Sequence, residues 1–212
     1  RRPFTGRRAS DAGGGFFQCL LRGLPAVCPF QAYASLRLSM GPDCEGKGGR
    51  GMRLTFYVAL RQDGAFLRDV LRQNGVSAAL SASVKHCGGF FADGVPTRAN
   101  QRVAAGAAVS FELPPEADTS VIPEDIPLSI VYEDEHAMVL EKPAGMAVHP
   151  TRGEVRGTLA NAFCGLLRAR GQKGVFRPIN RLDKGTSGLV LCAMNAYAAP
   201  LLAAAVQKVP AV

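Results

Sequence analysis

The stretch at residues 180–188, Asn-Arg-Leu-Asp-Lys-Gly-Thr-Ser-Gly, constrains this chain more than any other. A charged cluster and a glycine-containing turn lead directly into the apolar run at 189–194, which predicts a buried β-strand. A carboxylate placed there is held by the sheet through its backbone, while its side chain can face a cleft. Asp183 is therefore the first candidate for a catalytic group. The alternative, from spacing alone, is a surface ion pair of Arg181 and Asp183 in a turn, worth about 0–1 kcal/mol.

A second stretch that combines charged residues with a glycine-containing bend lies upstream of Asp183. Lys-Pro-Ala-Gly-Met-Ala-Val-His-Pro at 142–150 follows two predicted strands, 128–134 and 137–141, which form a hairpin about a tight acidic turn. The Pro-x-Gly bend is predicted to bring Lys142 and His149 to the same end of the sheet. Taken alone, His149 is more often a structural residue than a catalytic one.

Together the two strings resemble the first and the central motifs of the RluA-type pseudouridine synthases, whose central motif has His or Asn before Arg-Leu-Asp. The resemblance implies isomerisation of uridine to pseudouridine in RNA, with Asp183 as the essential catalytic residue and with neither cofactor nor metal. On this basis Arg181 is placed to hold the RNA phosphate or the space that the base leaves. Ribosomal RNA is the expected substrate, with transfer RNA as the alternative. An aspartyl-phosphate motif at 183–186 is disfavoured, because there the Asp follows an apolar strand and here it precedes one.

Basic residues accumulate immediately before Asp183. The chain carries a formal net charge of +8, and no acidic residue lies between 155 and 182. The basic residues of this segment are Arg156, Arg168, Arg170, Lys173, Arg177 and Arg181. A run of basic residues leading to one carboxylate favours a polyanionic substrate. We predict that Arg177 and Arg181 contact RNA. A helix C-terminus that gathers cations explains Arg168 and Arg170 but not the continuation to Arg181.

A smaller unit is predicted at 52–114. Its pattern is a strand at 54–60, helices at 67–74 and 77–87, a hairpin turning at Asp93-Gly94, and a strand at 108–113. This order resembles the S4 RNA-binding domain. The matching strings are Leu-Arg-Asp at 67–69, Gly-Val-Ser at 75–77, Asp-Gly-Val-Pro at 93–96 and Val-Ala-Ala-Gly at 103–106.

Four cations of this unit are candidates for contacts with an RNA backbone. Arg68 and Arg72 lie four residues apart and hence on one helix face. With Lys85 and Arg98 they are predicted to follow the phosphates. By charge alone, an ordinary solvated face is an equal alternative.

The predicted fold class is α+β, with the S4-like domain followed by part of a synthase domain built on a mixed β-sheet with flanking helices. Residues 1–51 are Arg-, Gly- and Cys-rich and predict a disordered leader that is not native, with Met52 as the true start. A near P-loop at 41–48 lacks its final Ser or Thr and is rejected. Residues 115–127 are a Pro-rich acidic linker, interpreted as a spacer. Residues 128–212 form the N-terminal part of the catalytic domain, with helices at 157–171 and 197–208.

The C-terminal residues differ from the family pattern. Where the family carries a Lys-x-Tyr segment, residues 208–210 are Lys-Val-Pro, so the chain is expected to be C-terminally truncated. The alternative function is accordingly an inactive RNA-binding fragment. The sequence contains no run of 18 or more apolar residues, so no membrane span is predicted. The six cysteines are scattered, which excludes a zinc site or a disulfide framework and favours a reducing cytoplasm. A monomer is expected.

Overall fold

The computed structural model describes residues 51–116 and 119–208, which form two four-stranded sheets and four α-helices. The predicted leader up to residue 50, its near P-loop and the last four residues lie outside the described residues. The strands are β1 Arg53–Tyr57, β2 Phe90–Ala92, β3 Val95–Thr97, β4 Ala108–Glu112, β5 Ser129–Glu133, β6 Ala137–Lys142, β7 Arg177–Pro178 and β8 Gly188–Ala193. The helices are α1 Leu67–Gln73, α2 Ala78–His86, α3 Leu159–Ala169 and α4 Ala198–Gln207, with a short 3-10 turn at Leu60–Gln62.

The N-terminal unit consists of β1 to β4 with α1 and α2. Its sheet has the order β1-β4-β2-β3, with every pair antiparallel. The predicted hairpin is confirmed: Asp93 and Gly94 both have positive φ, 50° and 78°, as a two-residue turn between twisted strands requires. Ser77 begins α2 by accepting a hydrogen bond from the Leu80 amide at 3.1 Å.

The C-terminal unit consists of β5 to β8 with α3. Its sheet has the order β5-β6-β8-β7, and all of these pairs are antiparallel. The sequence predicted a mixed sheet, but between β6 and β8 the chain crosses the sheet through α3 and returns beside β6 in the opposite direction. The sequence predicted a helix at 157–171, and α3 spans Leu159–Ala169. Leu159, Phe163 and Leu167 form its apolar stripe and are buried against alternate residues of β6 and β8.

The last helix joins the two units. Leu201 and Leu202 of α4 belong to the same buried cluster as the core of the N-terminal unit. The Tyr197 hydroxyl donates a hydrogen bond to the Asn74 carbonyl at 2.9 Å, and burial raises the pKa of Tyr197 to about 12. Gly75 has a φ of +80°, and a Cβ there would lie 2.5 Å from the Leu201 side chain. A helix of the C-terminal segment therefore completes the N-terminal core.

The segment between the units is more than a spacer. The Glu124 carboxylate accepts a hydrogen bond from the Gly157 amide at 2.6 Å, and the Asn161 side chain donates to the Ile122 carbonyl at 2.8 Å. At Gly165 of α3 the chain at Glu124 approaches so closely that any Cβ would collide with its backbone. The acidic segment is thus fastened along the C-terminal unit, which corrects its interpretation as a spacer.

His136 lies buried between β5 and β6, close to the contact of the two units. Asn195 donates to its Nδ1 at 3.0 Å. The orientation of this amide is fixed, because Asn195 Oδ1 accepts from the Ala198 amide and Nδ2 also donates to the Glu135 carbonyl. Burial lowers the pKa of His136 below 6.5, against the opposing effect of Glu135 and Asp134. The folded protein therefore holds this imidazole neutral.

Because the folded pKa of His136 is lowered, the unfolded chain binds more protons below about pH 6.5. The free energy of unfolding should therefore fall as the pH drops below that value, by at most about 1.4 kcal/mol per pH unit from this group. Urea denaturation between pH 7.5 and 5.5 measures the slope. His136→Gln should flatten it, whereas His86→Gln, at an exposed histidine, should leave it unchanged. Equal slopes in the wild type and His136→Gln would contradict this account.

Candidate active site

Asp183 lies in the loop at residues 181–187, called here the Asp183 loop, which leads from the end of β7 into β8. The loop is exposed over most of its length, and Asp183 itself is exposed. The Thr186 amide donates to the Asp183 carbonyl at 3.0 Å and closes a tight turn. The small residues of the Gly-Thr-Ser-Gly segment therefore shape the turn that carries the carboxylate.

Lys142 fastens this loop to the 142–150 bend from inside the protein. Its ammonium group donates to the carbonyls of Pro143, Met146 and Lys184 at 2.9, 2.7 and 3.3 Å. The Gly145 amide donates to the same Lys184 carbonyl at 2.7 Å. The side chain of Lys142 is completely buried. The bend was predicted to present Lys142 and His149 near the same end of the sheet, and at that end the side chain of Lys142 points inward.

The inward direction of Lys142 follows from the period of the strand. Lys142 is two residues beyond Leu140 and four beyond Met138, so it leaves β6 on the face that α3 covers. A buried ammonium is tolerated only where acceptors surround it. The three carbonyls supply them and thereby connect two loops that are 42 residues apart in sequence.

His149 and Arg181 lie on the same side of this junction. The His149 ring packs edge-on against Phe176, with ring centroids 5.2 Å apart. Partial burial and the Arg181 guanidinium both lower the pKa of His149. The structure thus brings the 142–150 bend, Arg181 and the loop of Asp183 to one end of the second sheet.

At least three of the six cations that approach this end form ion pairs, which differs from the uniform positive charge that the sequence predicted. Arg177 pairs with Glu116 at 2.6 Å, and Arg156 pairs with Glu124 at 3.2 Å. Other ion pairs join Arg170 to Glu133 and Lys184 to Glu154. Among the described residues, Arg168 and Arg181 are exposed and form no ion pair. Arg181 is therefore the cation of this run that remains available beside Asp183.

A second basic site lies on the N-terminal unit. Arg68, Lys85 and Arg98 line one open pocket of about 440 Å³ together with Ser81, Thr97 and Asn100. Arg72 is not among its lining residues. The structure thus brings together three of the four cations predicted from the helix pattern. Sequence reasoning missed Phe66, whose ring lies under the guanidinium groups of both Arg68 and Arg102, 4.7 and 4.6 Å from the ring centroid.

No group of three metal-ligating side chains occurs in residues 51–116 and 119–208. Over the same residues, no helix is long and apolar enough to cross a membrane.

The C-terminal unit is similar to a known family. The family model described as RNA pseudouridylate synthase matches residues 136–209, which include Asp183 and both motif strings. This segment of the chain therefore resembles the RNA pseudouridylate synthases.

Curated relatives carry the same family name. Ribosomal large subunit pseudouridine synthase D of Xylella fastidiosa is 41% identical over 114 residues, 52% of this chain and 34% of that protein. Its namesake from Pseudomonas aeruginosa is 41% identical over 117 residues, 54% of this chain and 36% of that protein. An uncharacterised RNA pseudouridine synthase of Bacillus subtilis, YlyB, is 40% identical over 108 residues, 49% of this chain and 35% of that protein. The match with these relatives covers about a third of their length.

Replacement of the buried cation tests the connection between the two loops. Lys142→Met should lower the free energy of unfolding by about 2–4 kcal/mol, because buried carbonyls are left without a donor at about 1–3 kcal/mol each. Lys184→Met is the matched control, since it removes only the partly exposed pair with Glu154 and should cost less than about 1 kcal/mol. Urea denaturation measures both. Equal losses in the two variants would exclude the proposed role of the three carbonyls.

Proposed function

We propose that this chain isomerises uridine to pseudouridine in structured RNA, with ribosomal RNA as the substrate and Asp183 as the catalytic carboxylate. The proposal rests on the family match over 136–209, together with the position of Asp183 in a loop that Lys142 fastens to the 142–150 bend. Two of the relatives above are named for the ribosomal large subunit, which favours ribosomal over transfer RNA.

The proposed reaction breaks the bond between uracil N1 and ribose C1′ and forms a bond between C5 and C1′. The C5 proton is lost and N1 gains one, so the product is an isomer. Detachment of the base needs a carboxylate near C1′ or C2′, either as a nucleophile or as a base that removes the C2′ proton. Both routes use the ionised form. No electrons pass to a second molecule, so the reaction calls for neither a cofactor nor a metal.

The target uridine must leave its stack to reach Asp183, at a cost of a few kcal/mol. Arg181 lies exposed two residues before Asp183 and forms no ion pair among the described residues. We assign it to hold the phosphate of the extruded nucleotide or the space that the base leaves. Arg177 would join it on the RNA backbone once its pair with Glu116 opens.

The N-terminal unit is proposed to be an S4-like RNA-binding domain. Its pocket gathers Arg68, Lys85 and Arg98 beside hydroxyl and amide groups, a composition suited to phosphate oxygens. Arg72, outside the pocket, would contact the adjoining backbone. We further propose that the protein acts as a monomer in the cytoplasm, where ribosomal RNA is available.

Replacement of the catalytic carboxylate tests the reaction. Purified chain is incubated with uridine-containing ribosomal RNA, and pseudouridine is mapped chemically. Asp183→Asn should reduce product formation by about 10²–10⁴-fold, because an amide is neither a base nor a nucleophile. Asp125→Asn, at an exposed aspartate of the acidic linker, should retain wild-type activity.

Two results would contradict the assignment. Equal product from the wild type and Asp183→Asn would remove Asp183 from the chemistry. No product from the wild type, with RNA binding that weakens in salt, would instead establish the alternative of a binding fragment.

Salt dependence tests the N-terminal pocket. Arg68→Gln, Lys85→Gln and Arg98→Gln should each weaken RNA binding. Each should also reduce the slope of log affinity against log salt by about 0.7–0.9, because one phosphate fewer is neutralised by the protein. Arg53→Gln is the matched control, because Arg53 lies outside the pocket and pairs with Glu112 at 2.8 Å. Unchanged slopes in all three pocket variants would exclude this surface as the RNA-binding surface.

A further inference from the structure

The Asp183 loop begins where the backbone pairing between β7 and β8 stops. Arg177 and Pro178 pair with Ala193 and Cys192. The Ile179 amide then donates to the Leu191 carbonyl at 2.7 Å. Continued in this register, β7 would place residue 181 opposite Leu189 and draw the chain along the sheet edge.

The side chain of Asn180 occupies the next positions on that edge. Its Nδ2 donates to the Leu189 carbonyl at 3.0 Å, and its Oδ1 accepts from the Leu191 amide at 2.8 Å. The orientation of this amide is settled, because a carbonyl only accepts and a backbone amide only donates. Asn180 therefore occupies the Leu191 amide, which in this register would pair with the Ile179 carbonyl. It also occupies the Leu189 carbonyl, which would pair with the amide of residue 181.

The backbone changes direction after residue 180. With both β8 groups occupied by a side chain, the backbone is released from the edge at Arg181 and does not rejoin the sheet until Gly188. Halfway along, the Lys184 carbonyl is held by Lys142 and Gly145. The Asp183 loop is thus fixed at its start by Asn180 and near its middle by the bend, and Asp183 lies between these two anchors.

We propose that Asn180 is a positioning residue for the reaction: its amide ends the β7–β8 pairing and thereby sets the place of the Asp183 carboxylate. The catalytic part of this inference depends on the proposed function, whereas the structural part does not. Asparagine suits the task because one short side chain supplies both a donor and an acceptor. The contact with the Leu189 carbonyl is exposed, so water can replace it, and a substitution should disturb the loop more than the fold.

The matched control is Asn195, at the other end of β8. Its side chain also bridges two backbone groups, donating to the Glu135 carbonyl and accepting from the Ala198 amide. It lies beyond the C-terminal end of the strand, whereas the Asp183 loop enters at the N-terminal end. Asn195→Leu and Asn180→Leu thus remove the same kind of contact, and only Asn180→Leu removes it next to Asp183.

Amide hydrogen exchange on the full chain tests the structural part, at a temperature where all variants are folded. Asn180→Leu should accelerate exchange at both Leu191 and Gly145 by about tenfold or more, because the Gly145 amide is bonded to the loop at Lys184. Asn195→Leu should leave Gly145 exchange within about twofold of the wild type. If Gly145 exchanges equally in the two variants, Asn180 does not position the loop and the inference is overturned.

Kinetics on uridine-containing ribosomal RNA test the catalytic part. Asn180→Leu should lower kcat by about 100-fold with KM changed less than about threefold, because a displaced carboxylate loses reactivity while RNA binding is retained. Asn180→Asp, which has the same shape but lacks the donor, should also lower kcat. Asn195→Leu should keep the wild-type kcat. A kcat that falls no further in Asn180→Leu than in Asn195→Leu would overturn the positioning role. An inactive wild type would contradict the proposed function, and the hydrogen-exchange result would then decide the structural part alone.

Discussion

The buried ammonium group of Lys142 is the contact on which the arrangement of the candidate site depends. A charge with no access to water is costly unless polar groups surround it. Here the carbonyls of Pro143, Met146 and Lys184 surround it, and two of them belong to the bend while the third belongs to the loop of Asp183. The need to solvate one cation therefore holds two motif strings together. The carboxylate is left exposed on a loop whose backbone is fixed.

Outside this junction, several basic side chains are paired with carboxylates. At least three of the six cations of the 155–182 segment are matched by carboxylates from distant parts of the chain, such as Arg177 by Glu116 and Arg156 by Glu124. These pairs fasten the acidic linker along the C-terminal unit, while α4 packs into the N-terminal core through Tyr197 and Leu201. Among the residues that the structure describes, Arg181 remains without an ion pair beside Asp183, and it and the N-terminal pocket are the two places where we propose that RNA is held.

Local patterns sufficed to predict much of the fold. The apolar run at 189–194 predicted β8, Asp93-Gly94 predicted a two-residue hairpin, and Ser77 predicted the start of α2, because each depends on neighbours in sequence. The two motif strings predicted, by resemblance, that both belong to one kind of active site. The contact between the bend and the loop of Asp183 is visible only in the structure.

Features that depend on distant partners were not predictable in this way. The inward direction of Lys142 requires a carbonyl 42 residues away, and the neutralisation of Arg177 requires a carboxylate 61 residues away. The basic run of the sequence predicted Arg177 to be accessible to RNA, and the bend predicted only that Lys142 lies at the same end of the sheet as His149. The antiparallel order of β6 and β8 likewise depends on the path of the chain through α3. The roles of Asp183 and of the pocket cations remain proposals, since they concern a substrate.

The most direct measurement is a structure of the chain bound to a uridine-containing RNA. The account predicts that the extruded ribose lies with C1′ or C2′ about 3–3.5 Å from the Asp183 carboxylate, with Arg181 on the adjoining phosphate or in the space of the base. An RNA bound elsewhere, with Asp183 facing solvent and another carboxylate at the ribose, would contradict it.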